Sequence, residues 1–214
     1  VSDTAIAAEP PGLTRKGRAT RARIVEAAAR LMFENGVTRT SIDDVRQAAG
    51  VSSSQLYHYF ADKQELVRAV VRHQADEVLA AQQPLLSNLD SFESLRIWRD
   101  AIVDLQRNRN CAGGCPIGSL LPEVAEVDAV ARDGLADGFS RWEHAISRGI
   151  AAMRDRGELR ADADPERLGL GVLAALQGGL LLTQARRDTE ALSAALDLAL
   201  DHLRTYATDG VAGA

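Results

Sequence analysis

Residues 40–66 read TSIDDVRQAAGVSSSQLYHYFADKQEL, and the polar spacing in this stretch marks three helix starts in succession. Ser41 and Asp44, Ser52 and Gln55, and Asp62 and Glu65 each stand three residues apart. In each pair the first side chain accepts from an amide of the new helix and the second reaches back to the cap, so donors otherwise orphaned at a helix start are satisfied. Gly50 lies between the first two starts, where a sharp turn calls for a residue that enters the left-handed region freely. Ala48 and Ala49 let two helices cross closely, and Val51 with Leu56 forms a hydrophobic staple that aims the second helix. The stretch predicts a helix-turn-helix.

The second helix presents Ser53, Ser54, Gln55, Tyr57, His58 and Tyr59, a hydrogen-bonding and aromatic face without a carboxylate. Spanning Ser53 to Tyr59, it is about 10 Å long at 1.5 Å per residue. That length suits entry into a DNA major groove with the first turn against base edges. Lys63 follows at the next helix start, where an ammonium reaches a phosphate.

The net charge of −5 is unevenly divided. Through Ala75 there are 11 Lys and Arg against 8 Asp and Glu, and the remainder carries 14 against 22. Arg15, Lys16, Arg18, Arg21 and Arg23 crowd the approach to the first helix, where a basic arm can follow a phosphate backbone or enter a minor groove.

Apolar residues recur at helical spacing through the rest of the 214-residue chain. Ile24, Ala27, Ala28, Leu31 and Met32 mark a first helix from Thr14 or Thr20 to Asn35, closed by Gly36. Further helices are expected at 62–83, 91–107, 116–127, 128–156, 165–186 and 189–206, with no strand. The fold class is therefore all-α, about nine helices, with an N-terminal three-helix head and a C-terminal helical domain. The expected division is a leader at 1–13, the DNA-binding domain at 14–61, a ligand-binding and dimerisation domain at 62–207 and a tail at 208–214. No run of eighteen apolar residues is present, because Gln177, Gly178 and Gly179 interrupt Leu176–Leu182, and no apolar signal segment opens the chain. A cytoplasmic protein with no membrane partner is expected, its two cysteines reduced.

The stretch from Thr38 to Leu66 resembles the DNA-binding motif of the TetR (tetracycline repressor) family of bacterial transcription regulators, through its GVS turn, LYHYF core and DKQEL. The resemblance covers about Thr20 to Val70; beyond it, only length and helical layout agree. It implies base contacts from Ser53, Ser54, Gln55 and Tyr57, and phosphate contacts from Thr40, Ser52, Tyr59 and Lys63. His58 stands on the same face, where the family varies.

Asn110 to Pro122, NCAGGCPIGSLLP, breaks the helical pattern with glycines and prolines. Pro116 fits the first turn of a helix, so Cys115 is expected near a helix N-terminus, where the dipole favours a thiolate. The break reads either as the wall of a ligand pocket or as a thiol sensor of oxidants and electrophiles. Its GCPIGSL string is similar to a branch of the family resembling LmrA and YxaF, whose members respond to aromatic compounds. Trp98, Cys115, Phe139, Trp142, Met153 and Gln177 are the candidate pocket residues, since large amphipathic rings wall planar apolar ligands. Gly171, Ala175 and Gly179 form a small-residue stripe, and Leu192, Leu196, Leu200 and Leu203 an apolar face. Together they are the expected dimer interface, in a four-helix bundle with a second copy.

These features point to a homodimeric repressor that binds a palindromic operator and is released by a small apolar or aromatic molecule. The alternatives are a thiol-based redox or electrophile-sensing regulator and, remotely, a thiol oxidoreductase using Cys111 and Cys115. An enzyme is not expected: His58, His73, His144 and His202 are scattered, and there is neither a phosphate-binding glycine loop nor a nucleophile elbow. No cofactor and no metal are expected, because a Cys-x-x-x-Cys pair lacks nearby partner ligands.

Overall fold

A computed structural model describes residues 12–208; the expected leader and tail otherwise lie outside the described residues. Among the described residues nine α-helices follow one another: α1 (Arg15–Asn35), α2 (Ile42–Ala49), α3 (Ser53–Tyr59), α4 (Lys63–Ala80), α5 (Phe92–Asn108), α6 (Leu121–Val124), α7 (Ala129–Asp155), α8 (Pro165–Arg186) and α9 (Glu190–Arg204). Short 3-10 turns occupy Leu85–Asn88 and Gly118–Leu120. Among the described residues the only extended pairing is an isolated antiparallel bridge between Leu159 and Ala207.

Local capping accounts for the helix starts. Thr14 accepts from the Gly17 amide at 3.1 Å, so α1 begins there and not at Thr20. The basic residues from Arg15 onward are thus helical and do not form an extended arm. The boxes of Ser41 with Asp44 and of Ser52 with Gln55 are complete. The third start differs: Asp62 accepts from the Glu65 amide at 2.8 Å, but Glu65 reaches past it to the Ala61 amide at 2.8 Å. Ser91 and Ser94 make a further box at the start of α5.

The segment after Pro116 departs from the expected helix. Three residues form a 3-10 turn and four form α6, before Asp128 caps a new start by accepting from the Ala131 amide at 3.0 Å. Cys115 therefore does not sit at an α-helix N-terminus, and the dipole argument for a thiolate there falls away.

The chain forms two compact units, and their boundaries differ from the expected domain division. Among the described residues, one comprises those up to Glu77 together with Pro116–Gly138; the other is Val78–Cys115 with those from Phe139 onward. In the first unit Val45, Leu56, Phe60, Leu66 and Val70 are fully buried or nearly so. Here α4 meets the first half of α7 across glycines. A Cβ on Gly138 would lie 2.9 Å from the Ala75 Cβ, and one on Gly134 would lie 3.1 Å from Val71. Arg68 and Asp128 pair at 2.9 Å in the same unit.

In the second unit α8 and α9 form a hairpin. Its close approach is made by Gly179, where a Cβ would lie 2.8 Å from the Leu192 Cα. Leu192, Leu196 and Leu203 are fully buried. The small-residue stripe and the apolar face of α9 thus meet within one chain: Gly179, Leu192, Leu196 and Leu203 are core, while Ala175 and Leu200 are half-buried. Only Gly171 of the expected interface is open, with nothing near the place a Cβ would take.

Candidate nucleic-acid interface

The helix-turn-helix is built from its caps and its staple. Gly50 adopts φ 61°, and its amide donates back to α2. Val51 and Leu56 are both buried, so the entry to α3 is held from below. Above that contact Ser53, Ser54, Gln55, Tyr57 and His58 are exposed, and Tyr57 retains 56% of its surface. Tyr59 is half-buried: His58 packs edge-on against its ring at 4.9 Å, and its hydroxyl lies close to Gly17 of α1.

Several side chains expected to meet DNA have other partners within the head. The Ser52 Oγ accepts from the Gln55 amide at 3.2 Å and shares a hydrogen with the Ser54 hydroxyl at 3.1 Å. The Gln55 Oε1 accepts from the Ser52 amide at 2.9 Å, leaving the amide nitrogen of Gln55 for a base edge. Thr40 is 2% exposed and donates its hydroxyl to the Gly36 carbonyl at 2.8 Å. Its hydroxyl thereby closes the turn between α1 and α2. Lys63 donates to the Thr38 carbonyl at 3.4 Å, which places its ammonium beside that turn.

Glu123, which the motif reading did not single out, belongs to the same unit. Its two carboxylate oxygens accept from the Val37 amide at 3.0 Å and the Thr38 amide at 2.7 Å. Burial pushes this carboxyl up, but the Thr38 and Val37 donors and the Lys63 charge outweigh it and hold the group below the usual carboxylate range. The partners are 85 and 86 residues apart in sequence, beyond the reach of any local pattern.

The candidate pocket residues all belong to the second unit, Cys115 and Phe139 standing at the ends of its two segments. Trp98 is 1% exposed, and its indole N–H donates to the Gln82 Oε1 at 2.8 Å. That pairing makes it a structural anchor. Met153 is fully buried and Phe139 half-buried. Trp142 Nε1 and Gln177 Nε2 are buried donors with no hydrogen-bond partner in the chain. Cys111 and Cys115 are both buried. Cys111 adopts φ 55° next to Asn110 at 51°, with Gly113 at 82° and Gly114 at 62°, so four of five consecutive residues are left-handed. Its carbonyl accepts from Arg187 at 3.3 Å. A surface cleft of about 400 Å³ between α5 and α9 includes none of the expected pocket residues; within it Arg96 and Arg99 pair with Asp100, and Arg99 also with Asp197 at 2.7 Å.

Residues 24–70 match the model of the bacterial regulatory proteins of the tetR family. Residues 92–199, half of the chain, match the tetracyclin repressor-like C-terminal domain. The chain belongs to the tetR family. Among relatives, the repressor KstR2 of Rhodococcus jostii is 32% identical over 73% of this chain and 76% of its own. YxaF of Bacillus subtilis, described as an uncharacterized regulator, is 24% identical over 79% of this chain and 87% of its own. A solved complex of SmeT with triclosan superposes with a TM-score of 0.64 at 24% identity, covering 90% of this chain and 94% of that one. This tetR-family member is a helix-turn-helix transcription regulator.

Proposed function

We propose that this regulator is a homodimeric repressor that binds a palindromic operator and releases it when a small apolar or aromatic molecule occupies the second unit. The observation that carries the effector reading is that two side-chain donors, Trp142 Nε1 on α7 and Gln177 Nε2 on α8, are buried without a hydrogen-bond partner among the described residues. Leaving such a donor without an acceptor costs about 1–3 kcal/mol, and native interiors seldom tolerate it. A molecule with an apolar body and one or two acceptor atoms supplies what they lack. The complex of SmeT with triclosan, an aromatic molecule, supports the same class. Effector occupancy then shifts the population between conformers of different operator affinity, and a coupling of about 1–3 kcal/mol is sufficient.

The homodimer reading rests on the outward face of α8. Leu170, Gly171, Ala174, Gly178, Leu181 and Leu182 are all exposed and recur at three and four residues without a charge among them. By length and composition α8 would cross a membrane, yet its opposite face is core, with Leu173, Leu176 and Leu180 buried. A second copy of α8, with Leu198 of α9 at the margin, is the occupant that fits, because one short groove helix makes too few contacts for specific affinity and two on successive half-sites make enough. A DNA-binding regulator of this kind works in the cytoplasm, where the chromosome is.

The test combines sedimentation of the purified protein with fluorescence anisotropy on duplexes selected from a random library. Dimeric binding to a palindrome, with release by aromatic compounds that also quench tryptophan fluorescence in the wild type but not in Trp142→Phe, is the expected result. A monomer on DNA, or release with the Trp142 signal unmoved, would sink the corresponding half of the reading.

A further inference from the structure

The turn between α1 and α2 decides where the helix-turn-helix stands, because Ser41, the cap of α2, follows it directly. Gly36 ends α1 at φ 88°, a conformation that sends the chain out of the helix but leaves the next amides without helical acceptors. Thr40 satisfies the Gly36 carbonyl at 2.8 Å and Lys63 approaches the Thr38 carbonyl at 3.4 Å. The Val37 and Thr38 amides are satisfied by Glu123 alone, one carboxylate oxygen each. A Cβ on Gly36 would come within 2.7 Å of the Glu123 Oε1, so the glycine serves the close approach of the carboxylate as well as the backbone angle.

We propose that Glu123 is a positioning residue for sequence-specific DNA recognition: its bidentate hold on the Val37 and Thr38 amides sets the turn that orients α2 and α3. Two amides on one carboxylate fix both the place and the direction of a peptide segment, as a single contact does not. Charge-assisted bonds of this kind are also stronger than neutral ones. Glu123 lies on the α6 segment, eight residues after Cys115 in the sequence, so the Gly-rich break and the reading head share a short covalent path that ends on this carboxylate. Its charge otherwise opposes DNA binding, since a carboxylate next to Lys63 reduces the local attraction for phosphate. Positioning and bulk electrostatics therefore make opposite predictions for its removal.

The inference rests on the DNA-binding reading, and the experiment separates the two. Wild-type protein is first used to select a duplex from a random library; failure to enrich any sequence would count against specific DNA binding itself. Affinities of wild type, Glu123→Gln and Glu123→Asp are then measured on the selected duplex and on a scrambled duplex of equal length, at a temperature where the helical signals of all three are the same. Gln removes the charge and offers a single oxygen acceptor; Asp keeps the charge but is one methylene too short to hold both amides. For both variants the selected duplex should weaken by roughly tenfold, the size of one lost cap, while the scrambled duplex does not weaken. A preserved ratio between the two duplexes, whether both rise, both fall or neither moves, overturns the proposal. If Glu123→Gln does not fold, Glu123→Asp carries the comparison, and amide exchange in the wild type is decisive alongside it: the Val37 and Thr38 amides must be protected, and fast exchange there overturns the assignment.

Discussion

Ser52 and Gln55 cap each other at the start of α3: the Gln55 amide donates to the Ser52 Oγ at 3.2 Å, and the Ser52 amide donates to the Gln55 Oε1 at 2.9 Å. The residue expected to read a base thus also holds up the helix that presents it. Gln55→Ala should lower stability by about 1 kcal/mol, read in chemical denaturation, and weaken operator binding. Gln55→Glu separates the two roles. Its carboxylate keeps the acceptor and suits a helix N-terminus, so stability should hold while operator affinity drops through repulsion from the DNA. Wild-type affinity in Gln55→Glu would mean that the first turn of α3 does not face the duplex.

Tyr57 is 56% exposed, so Tyr57→Ala should leave the melting temperature nearly unchanged. Operator affinity should fall by roughly 1–3 kcal/mol, with altered preference at particular base pairs. A uniform loss across all sequences, seen in competition binding, would assign Tyr57 to the phosphate backbone.

Gly179 and Leu181 stand two residues apart on α8 but face opposite ways. Gly179→Leu forces a side chain onto the Leu192 backbone and should destabilise the α8–α9 hairpin of a single chain, by at least about 1–3 kcal/mol on the scale of core overpacking. Leu181→Asp places a charge on a position that is 67% exposed, so the fold should survive while sedimentation shifts towards monomer. An unchanged dimer in Leu181→Asp would move the interface away from α8.

Arg68 and Asp128 supply a pH dependence with a definite sign. Burial pushes the Asp128 carboxyl up, but the Ala131 amide and the Arg68 guanidinium outweigh it and hold the group below its ordinary value. A depressed carboxylate contributes stability that is fully present above its unfolded value, near 3.9, and is lost as pH falls through the lower folded value. Asp128→Asn should cost about 2 kcal/mol at neutral pH, less than a fully buried pair because Arg68 is 35% exposed and water screens it. Its stability should also fall less steeply than that of the wild type between about pH 5 and pH 2. Parallel acid profiles for the two proteins would show that the pair does not carry this dependence.

The head was legible because its determinants are local. A capping box spans four residues, a staple six, and the Gly50 turn one, so Ser41, Ser52, Val51 and Leu56 announce their geometry wherever the chain is placed. Even there the side-chain partners were not all readable, since Thr40 could turn either to solvent or to the Gly36 carbonyl, and packing chose the latter.

By itself, then, the sequence determined an all-helical chain, its helix starts and a short second helix of the helix-turn-helix free of carboxylates. Tertiary structure decided which faces were used. On α8, leucines and small residues surround the helix, so periodicity does not distinguish the face that meets α9 from the face left exposed. Contact with Leu192 made that choice for Gly179. The same holds for Glu123: an isolated carboxylate in a four-residue helix has no local signature, and only folding brings it to two amides more than eighty residues away. Bonds between near neighbours are set by backbone geometry, whereas those between distant segments depend on how the whole chain buries its apolar surface.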